Sequence, residues 1–312
     1  MTSFAFVFPG QGSQSVGMLD TWGDHPAVRQ TLAEASDALG EDVARLIHEG
    51  PKEQLDLTTN TQPVMLTAGI ACYRAWLAET SLEPGVVAGH SLGEYSALVA
   101  AGSLSLHDAL PLVRFRAQAM QEAVPVGAGA MAAILGMDAD MVRSTCAEVA
   151  AAAGEVVEAV NFNDPKQTVI AGSKAGVDKA CEALKGKGAK RALLLPVSAP
   201  FHSSLMKPAA ERLKERLAAV ALAAPRIEVV NNVDVKVQSD PASIRDALYR
   251  QAFGPVRWVE VVQAIRARGV SHILECGPGK VLAGMVKRID ADAVTATVFD
   301  PASLAEVKGM LG

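Results

Sequence analysis

Apolar positions along this chain fall into two alternating rhythms. Short unbroken runs, such as Phe4-Ala-Phe-Val-Phe8 and Val86-Val-Ala88, separate longer stretches in which apolar residues recur every three or four positions. The long stretches predict helices near Pro26–Leu39, near Pro63–Ala78, from Leu92 and near Leu106–Val124. Strands alternating with helices in this way predict a parallel sheet with crossover helices. At the turn-rich Val124-Pro-Val-Gly-Ala-Gly129 the rhythm changes. The pattern then predicts strand Ala130–Leu135, helix Ala139–Ala151, strand Val156–Asn161, strand Thr168–Ala171, helix Ala175–Lys185 and strand Arg191–Leu195. Asn163-Asp-Pro165 marks the turn between the middle two strands. This βαββαβ order is that of a ferredoxin-like unit. Beyond it the pattern predicts a helix near Leu205–Ala218, a strand at Ile227–Val230, two helices across Ala242–Ala267 and a last strand at His272–Glu275. The expected organisation is a large α/β domain of residues 1–127 and 198–312, with a small ferredoxin-like domain of residues 128–197 inserted into it.

Composition narrows the function classes. The 312 residues are 50% hydrophobic but only 4% aromatic, which suits helices packed closely on a parallel sheet. A net charge of −5 argues against nucleic acid as a partner. Apolar stretches stop well short of a membrane span, and the first residues show no basic segment ahead of an apolar core, so no membrane association and a cytoplasmic location are expected. Cys72, Cys146, Cys181 and Cys276 form no Cys-x-x-Cys pair, so reduced, buried thiols are expected and no metal site. Cys276, beside glycines in Glu275-Cys-Gly-Pro-Gly279, has the most open setting of the four.

The candidate chemistry lies at two strand ends. Pro9-Gly-Gln-Gly12 follows the first strand, but its glycine spacing fits neither a dinucleotide fingerprint nor a phosphate loop. Gly89-His-Ser-Leu-Gly93 is a G-x-S-x-G between strand and helix. Glycines two residues either side of the serine relieve crowding in a sharp turn that exposes its hydroxyl, which is the logic of a nucleophile elbow and of an α/β-hydrolase-like large domain. A serine needs a base. His25, His48, His107 and His272 occupy unremarked helix-start, surface and strand-start positions, and His90 sits beside Ser91 where it would shape the pocket. His202, in the loop returning from the small domain, fits a catalytic and a structural histidine equally well on pattern alone. With Ser91 as nucleophile, the amides of Leu92 and Gln11 would face the developing oxyanion.

These residues resemble the malonyl-CoA:acyl carrier protein transacylases and the acyltransferase domains of fatty acid and polyketide synthases. The resemblance rests on Phe8-Pro-Gly-Gln-Gly-Ser-Gln14, Gly89-His-Ser-Leu-Gly-Glu94, Arg116 with Met120-Gln-Glu-Ala123, Pro200-Phe-His202, Asn231-Asn-Val233, Gln251 before Pro255-Val-Arg-Trp258, and Glu275-Cys-Gly-Pro-Gly279. It implies malonyl transfer from malonyl-CoA to the phosphopantetheine thiol of acyl carrier protein by a ping-pong route through malonyl-Ser91. His202 would be general base and acid, oriented by the main-chain carbonyl of Gln251 in place of an acidic residue. Arg116 would pair with the free malonyl carboxylate, and Phe201 would accompany malonyl selection. No resident cofactor is implied, because CoA and phosphopantetheine arrive as parts of substrates.

Two further expectations concern partners. An acidic carrier protein would need local basic groups on this acidic chain, for which Lys185, Lys187, Lys190, Arg191, Lys287 and Arg288 are candidates. A monomer is expected, since no extended apolar seam is visible. A hydrolase using the same serine and histidine, and a silent carrier-binding module, are the rival readings.

Overall fold

A computed structural model describes residues 3–312. Its strands are β1 (Phe4–Phe8), β2 (Val86–Gly89), β3 (Gly129–Leu135), β4 (Val157–Asp164), β5 (Gln167–Ser173), β6 (Arg191–Leu194), β7 (Glu228–Val230), β8 (His272–Cys276) and β9 (Thr297–Val298). They form two sheets, a five-stranded one in the order β7-β2-β1-β8-β9 and a four-stranded one in the order β4-β5-β3-β6. The first is parallel throughout and the second antiparallel throughout. The fold is therefore α/β, a parallel-sheet body with a separate antiparallel unit in the strand order of a ferredoxin-like fold.

The central strand β1 explains why its sequence is apolar without a break. Phe4, Phe6 and Phe8 point to one face, where Tyr73 and Trp76 meet them edge-on at centroid distances of 5.3–6.1 Å among the phenylalanines and their partners. Ala5 and Val7 point to the other face, into a cluster with Val261, Val262, Ile265 and Val286. Helices cover both sides, so neither set can be polar. Tyr73 and Trp76 belong to the helix Thr58–Glu79, the main cover of the phenylalanine face.

Several boundaries differ from the sequence expectation. The helix expected from Pro63 begins at Thr58, with Pro63 inside it. Thr58, Thr61 and Gln62 are buried polar residues, so the apolar rhythm starts one turn after the helix does. Asn163 and Asp164 are the end of β4, and the turn is Pro165-Lys166, with Asp164 Oδ1 accepting from the Lys166 amide at 2.8 Å. The strand at His272 is not the last, because β9 pairs with its far end. A two-residue strand carries no readable period. Helices Val43–Glu49 and Lys52–Leu55 were not anticipated, and the C-terminal helix expected near Lys287 and Arg288 is the helix Val281–Ile289, followed by another at Pro301–Leu311. Cys276 is buried like the other cysteines, against the open setting expected of it, because it ends β8 under the helix Thr58–Glu79, with its Sγ 3.9 Å from Gly69 O. No helix among the described residues is long and apolar enough to cross a membrane.

The two units are stitched along β4. Phe162 N donates to Val256 O at 2.9 Å and Val256 N to Val160 O at 2.8 Å. Arg288 Nε meets Asp164 Oδ2 at 2.7 Å, and Glu158 accepts from both the amide and the hydroxyl of Ser204. One wall of the groove above the parallel sheet is thereby supplied by the antiparallel unit.

Candidate active site

The carboxyl ends of β1 and β2 lie side by side, with Phe8 in register with Gly89. This is where ligands collect in open parallel sheets. The turn after β2 requires glycine at two positions: a Cβ on Gly89 would stand 1.8 Å from Gly93 C, and one on Gly93 would stand 2.1 Å from Phe8 O. The chain can double back so tightly that Ser91 takes a left-handed φ of +52°. A serine in that region is held against its preference by its surroundings. Asn232 provides the hold, its Oδ1 accepting from Ser91 N at 2.8 Å and its Nδ2 donating to Gly89 O at 2.8 Å.

His202 reaches the same point from the loop after β6 and is itself left-handed, with a φ of +65°. Its Nε2 lies 2.7 Å from Ser91 Oγ. Its Nδ1 faces the carbonyls of Gln251 at 2.9 Å and Gly254 at 3.2 Å. Carbonyls only accept, so Nδ1 carries the proton and Nε2 presents a lone pair to the serine hydroxyl. Burial, with the Arg116 charge beside it, pushes the imidazole pKa down to about 3. The resting histidine is a neutral base.

Arg116, on the helix Leu106–Glu122, is 2% exposed. Arg114, two residues away, instead pairs with Glu41 near the surface. Arg116 Nη1 donates to Gln62 Oε1 at 2.8 Å, and Nη2 donates to Gln251 Oε1 at 3.0 Å and to Ser91 Oγ at 3.2 Å. The Tyr95 ring lies 5.5 Å from its Cζ. Every direct acceptor is neutral. A guanidinium does not shed its proton in a protein, so a buried cation stands beside the Ser91 hydroxyl with no carboxylate touching it among the described residues.

Together these groups line a cavity of about 140 Å³ with Gln11, Leu92 and Phe201. The amides of Gln11 and Leu92 have no acceptor among the described residues. Gly10 brings the first loop to the elbow, its Cβ position being 2.6 Å from His90 O and 3.8 Å from Leu92 N. His90 lines the cavity but turns Nε2 to Asn163 Oδ1 at 2.8 Å, and burial holds its pKa below the usual value. The structure thus gathers Ser91, His202, Gln251, Gln11, Leu92, Arg116, Phe201 and His90 at one place.

Four contributors carried no assigned role in the sequence reading. Gln62 holds Arg116, Asn232 holds the elbow, Asn163 holds His90, and Gly254 gives His202 a second carbonyl. Gln251 does more than lend its carbonyl, because its side chain joins Arg116 to Ser91 O. A polar pair directly after a short strand, Asn231-Asn232, was the available signal.

Residues 5–300 match the family model of the acyl transferase domain. The chain is 53% identical over 307 residues to the malonyl CoA-acyl carrier protein transacylase of Salmonella typhimurium, covering 98% of each. Among solved structures, it superposes on an acyl-carrier-protein S-malonyltransferase from Burkholderia pseudomallei with a TM-score of 0.96 at 68% identity, covering 98% of this chain and 99% of that one. It also superposes, with a TM-score of 0.95 at 50% identity over 97% and 98% of the two chains, on a malonyl-transacylase solved in complex with its type II PKS acyl-carrier protein. A strained serine against a neutral histidine, with near-complete coverage of such relatives, leaves one assignment: the chain belongs to the acyl transferase domain family and, within it, to the malonyl CoA-acyl carrier protein transacylases.

Proposed function

We propose that this enzyme moves the malonyl group of malonyl-CoA to the phosphopantetheine thiol of an acyl carrier protein in two half-reactions through malonyl-Ser91. The observation that carries the reading is the buried Arg116, 3.2 Å from the Ser91 hydroxyl and touched only by neutral acceptors. A malonyl carboxylate would complete its pairing bidentately, whereas an acetyl group would leave the cation unmatched.

In the first half-reaction Ser91 Oγ attacks the thioester carbonyl while its proton passes to His202 Nε2. The Gln11 and Leu92 amides donate to the oxyanion. Collapse breaks the C–S bond, and the imidazolium returns its proton to the departing CoA sulfur. In the second half-reaction the carrier thiol gives its proton to His202 and attacks malonyl-Ser91, whose oxygen leaves and is reprotonated by the same imidazole. Both thiols enter as parts of substrates, so the cycle uses no resident cofactor. Phe201, 9% exposed, lines the cavity, where its ring would restrict bulkier acyl groups.

The same reading has the carrier protein dock on local basic groups. Of the six candidates, Lys187 pairs with Glu148, Arg288 with Asp164, and Lys287 with the carbonyls of Ala291 and Ala293. Lys185, Lys190 and Arg191 are exposed and form no ion pair among the described residues. Arg191 opens β6, and the other end of that strand continues into Leu195 and Val197 of the cavity lining.

Brief mixing with malonyl-CoA followed by intact-protein mass measurement tests the reading. A malonyl adduct absent from Ser91→Ala and discharged by carrier protein is expected. CoA release without an adduct would replace transfer by hydrolysis, and intersecting rather than parallel initial-rate lines would remove the two-step route.

A further inference from the structure

Glu94 takes no part in the steps above, yet it is 2% exposed in the first turn of the helix Gly93–Ala100, three residues past the nucleophile. An acidic residue there ordinarily serves the helix, complementing its N-terminal dipole. Glu94 is turned elsewhere. Its Oε2 accepts from the main-chain N of Asn232 at 2.9 Å and from Gln251 Nε2 at 3.1 Å. Those two residues between them touch Ser91, His202 and Arg116. Asn232 clamps Ser91 N and Gly89 O. Gln251 holds Ser91 O through Nε2, Arg116 through Oε1 and His202 through its main-chain carbonyl.

We propose that Glu94 is a positioning residue for acyl transfer, a single carboxylate oxygen that holds Asn232 and Gln251 and through them sets Ser91, His202 and Arg116. The inference rests on the acyl-serine reading of the preceding section. Among the described residues no carboxylate touches His202, whose Nδ1 partners are carbonyls. The acid that would face the histidine directly in a serine triad is displaced here by one residue, and it acts by fixing the carbonyl that the histidine uses. What matters in this arrangement is the reach of an acceptor oxygen, because both groups that Oε2 meets are neutral donors. The other carboxylate oxygen makes no hydrogen bond among the described residues, and Glu94 borders a small cavity of about 10 Å³ shared with Asn231 and Gln238. A glutamine at 94 can place its carbonyl where Oε2 lies and its NH2 group toward that space.

Reach and charge separate in two variants. Glu94→Gln keeps the reach and loses the charge, whereas Glu94→Asp keeps the charge and withdraws the oxygen by one methylene. Single-turnover acylation by malonyl-CoA should fall no more than about threefold in Glu94→Gln and at least about tenfold in Glu94→Asp, with the KM for malonyl-CoA within about threefold of wild type in both. Adding Gln251→Ala to Glu94→Asp should cost less than the product of the two separate losses, since both act on one alignment. Equal loss in the two variants, a loss confined to KM, or fully multiplicative losses with Gln251→Ala would overturn the proposal. Thermal melts accompany each variant, and the Glu94→Gln result stands alone if Glu94→Asp does not fold. Wild-type protein that forms no acyl adduct would instead remove the acyl-serine reading and leave this comparison without an object.

Discussion

The carboxyl end of the parallel sheet and the antiparallel unit lie against each other, yet they place their charged and strained residues in opposite ways. At the parallel end Arg116, Glu94, Glu275 and His202 are all enclosed, and Ser91 and His202 sit in left-handed backbone. In the antiparallel unit charged side chains pair near the surface, as in Lys166–Asp138, Lys174–Asp178 and Lys187–Glu148, and no non-glycine residue there has a positive φ. Asp164 is the buried exception, and its partner is Arg288 of the other unit. The contrast teaches that one region stores the strain and burial that chemistry needs, while the other provides a regular wall. Burial acts on the enclosed acids as well, pushing Glu94 and Glu275 up to about 7.

The sharpest way to break this comparison is through glycine. Gly89→Ala puts a Cβ 1.8 Å from Gly93 C and should cost about 4 kcal/mol or more, or abolish folding. Gly186→Ala, at the end of the helix Lys174–Gly186 with open space around it, should change stability by less than about 1 kcal/mol, on the stabilising side. Urea midpoints read both, and similar losses at the two positions would erase the distinction between a strained and a relaxed region.

Next in size is the buried cation. Arg116→Ala should lower malonyl transfer by about a hundredfold or more while acetyl transfer holds or rises, because only malonyl brings a carboxylate to the site. Single-turnover rates with the two CoA esters decide it. Equal losses would mean that Arg116 supports the serine without reading the substrate.

A pH series sharpens the point about enclosure. His202 has its pKa lowered from 6.5 to about 3 by burial and by Arg116, with His90 adding to the same direction. A depressed folded value means that its neutral form is retained well below pH 6.5, and that its contribution to stability is present above 6.5 and lost as pH falls toward 3. Acylation rates should therefore show no histidine limb near pH 6.5. A limb there that persists in Glu94→Gln and Glu275→Gln would place His202 in ordinary contact with solvent.

The smallest effect belongs to the wall. Reversing Lys185, Lys190 and Arg191 to glutamate should raise the KM for carrier protein severalfold at low salt, an effect that fades as salt is added, with acylation by malonyl-CoA unchanged. Unaltered carrier kinetics would move docking elsewhere.

Much of this was legible in the order of residues. Apolar runs that never alternate mark strands covered on both faces, and the two glycines around Ser91 announce an elbow because no other residue fits that approach. Local periodicity carried the helices of the antiparallel unit close to their observed ends. It failed where burial is polar, as at Thr58, Thr61 and Gln62, because hydrogen bonds rather than hydrophobicity put those side chains inside. It also failed for β9, which is a strand only because β8 is beside it. The chain itself determined that a serine would stand in a sharp turn after a strand and that an arginine would lie two residues from its twin on a helix. Local pattern left open which histidine meets the serine and which arginine is enclosed, both named only through the resemblance, and that Glu94 supports Asn232 and Gln251 was visible only in three dimensions. These contacts join residues separated by 111, 135 and 157 positions, and such proximity follows from how the sheets and helices close around one another, not from any local pattern.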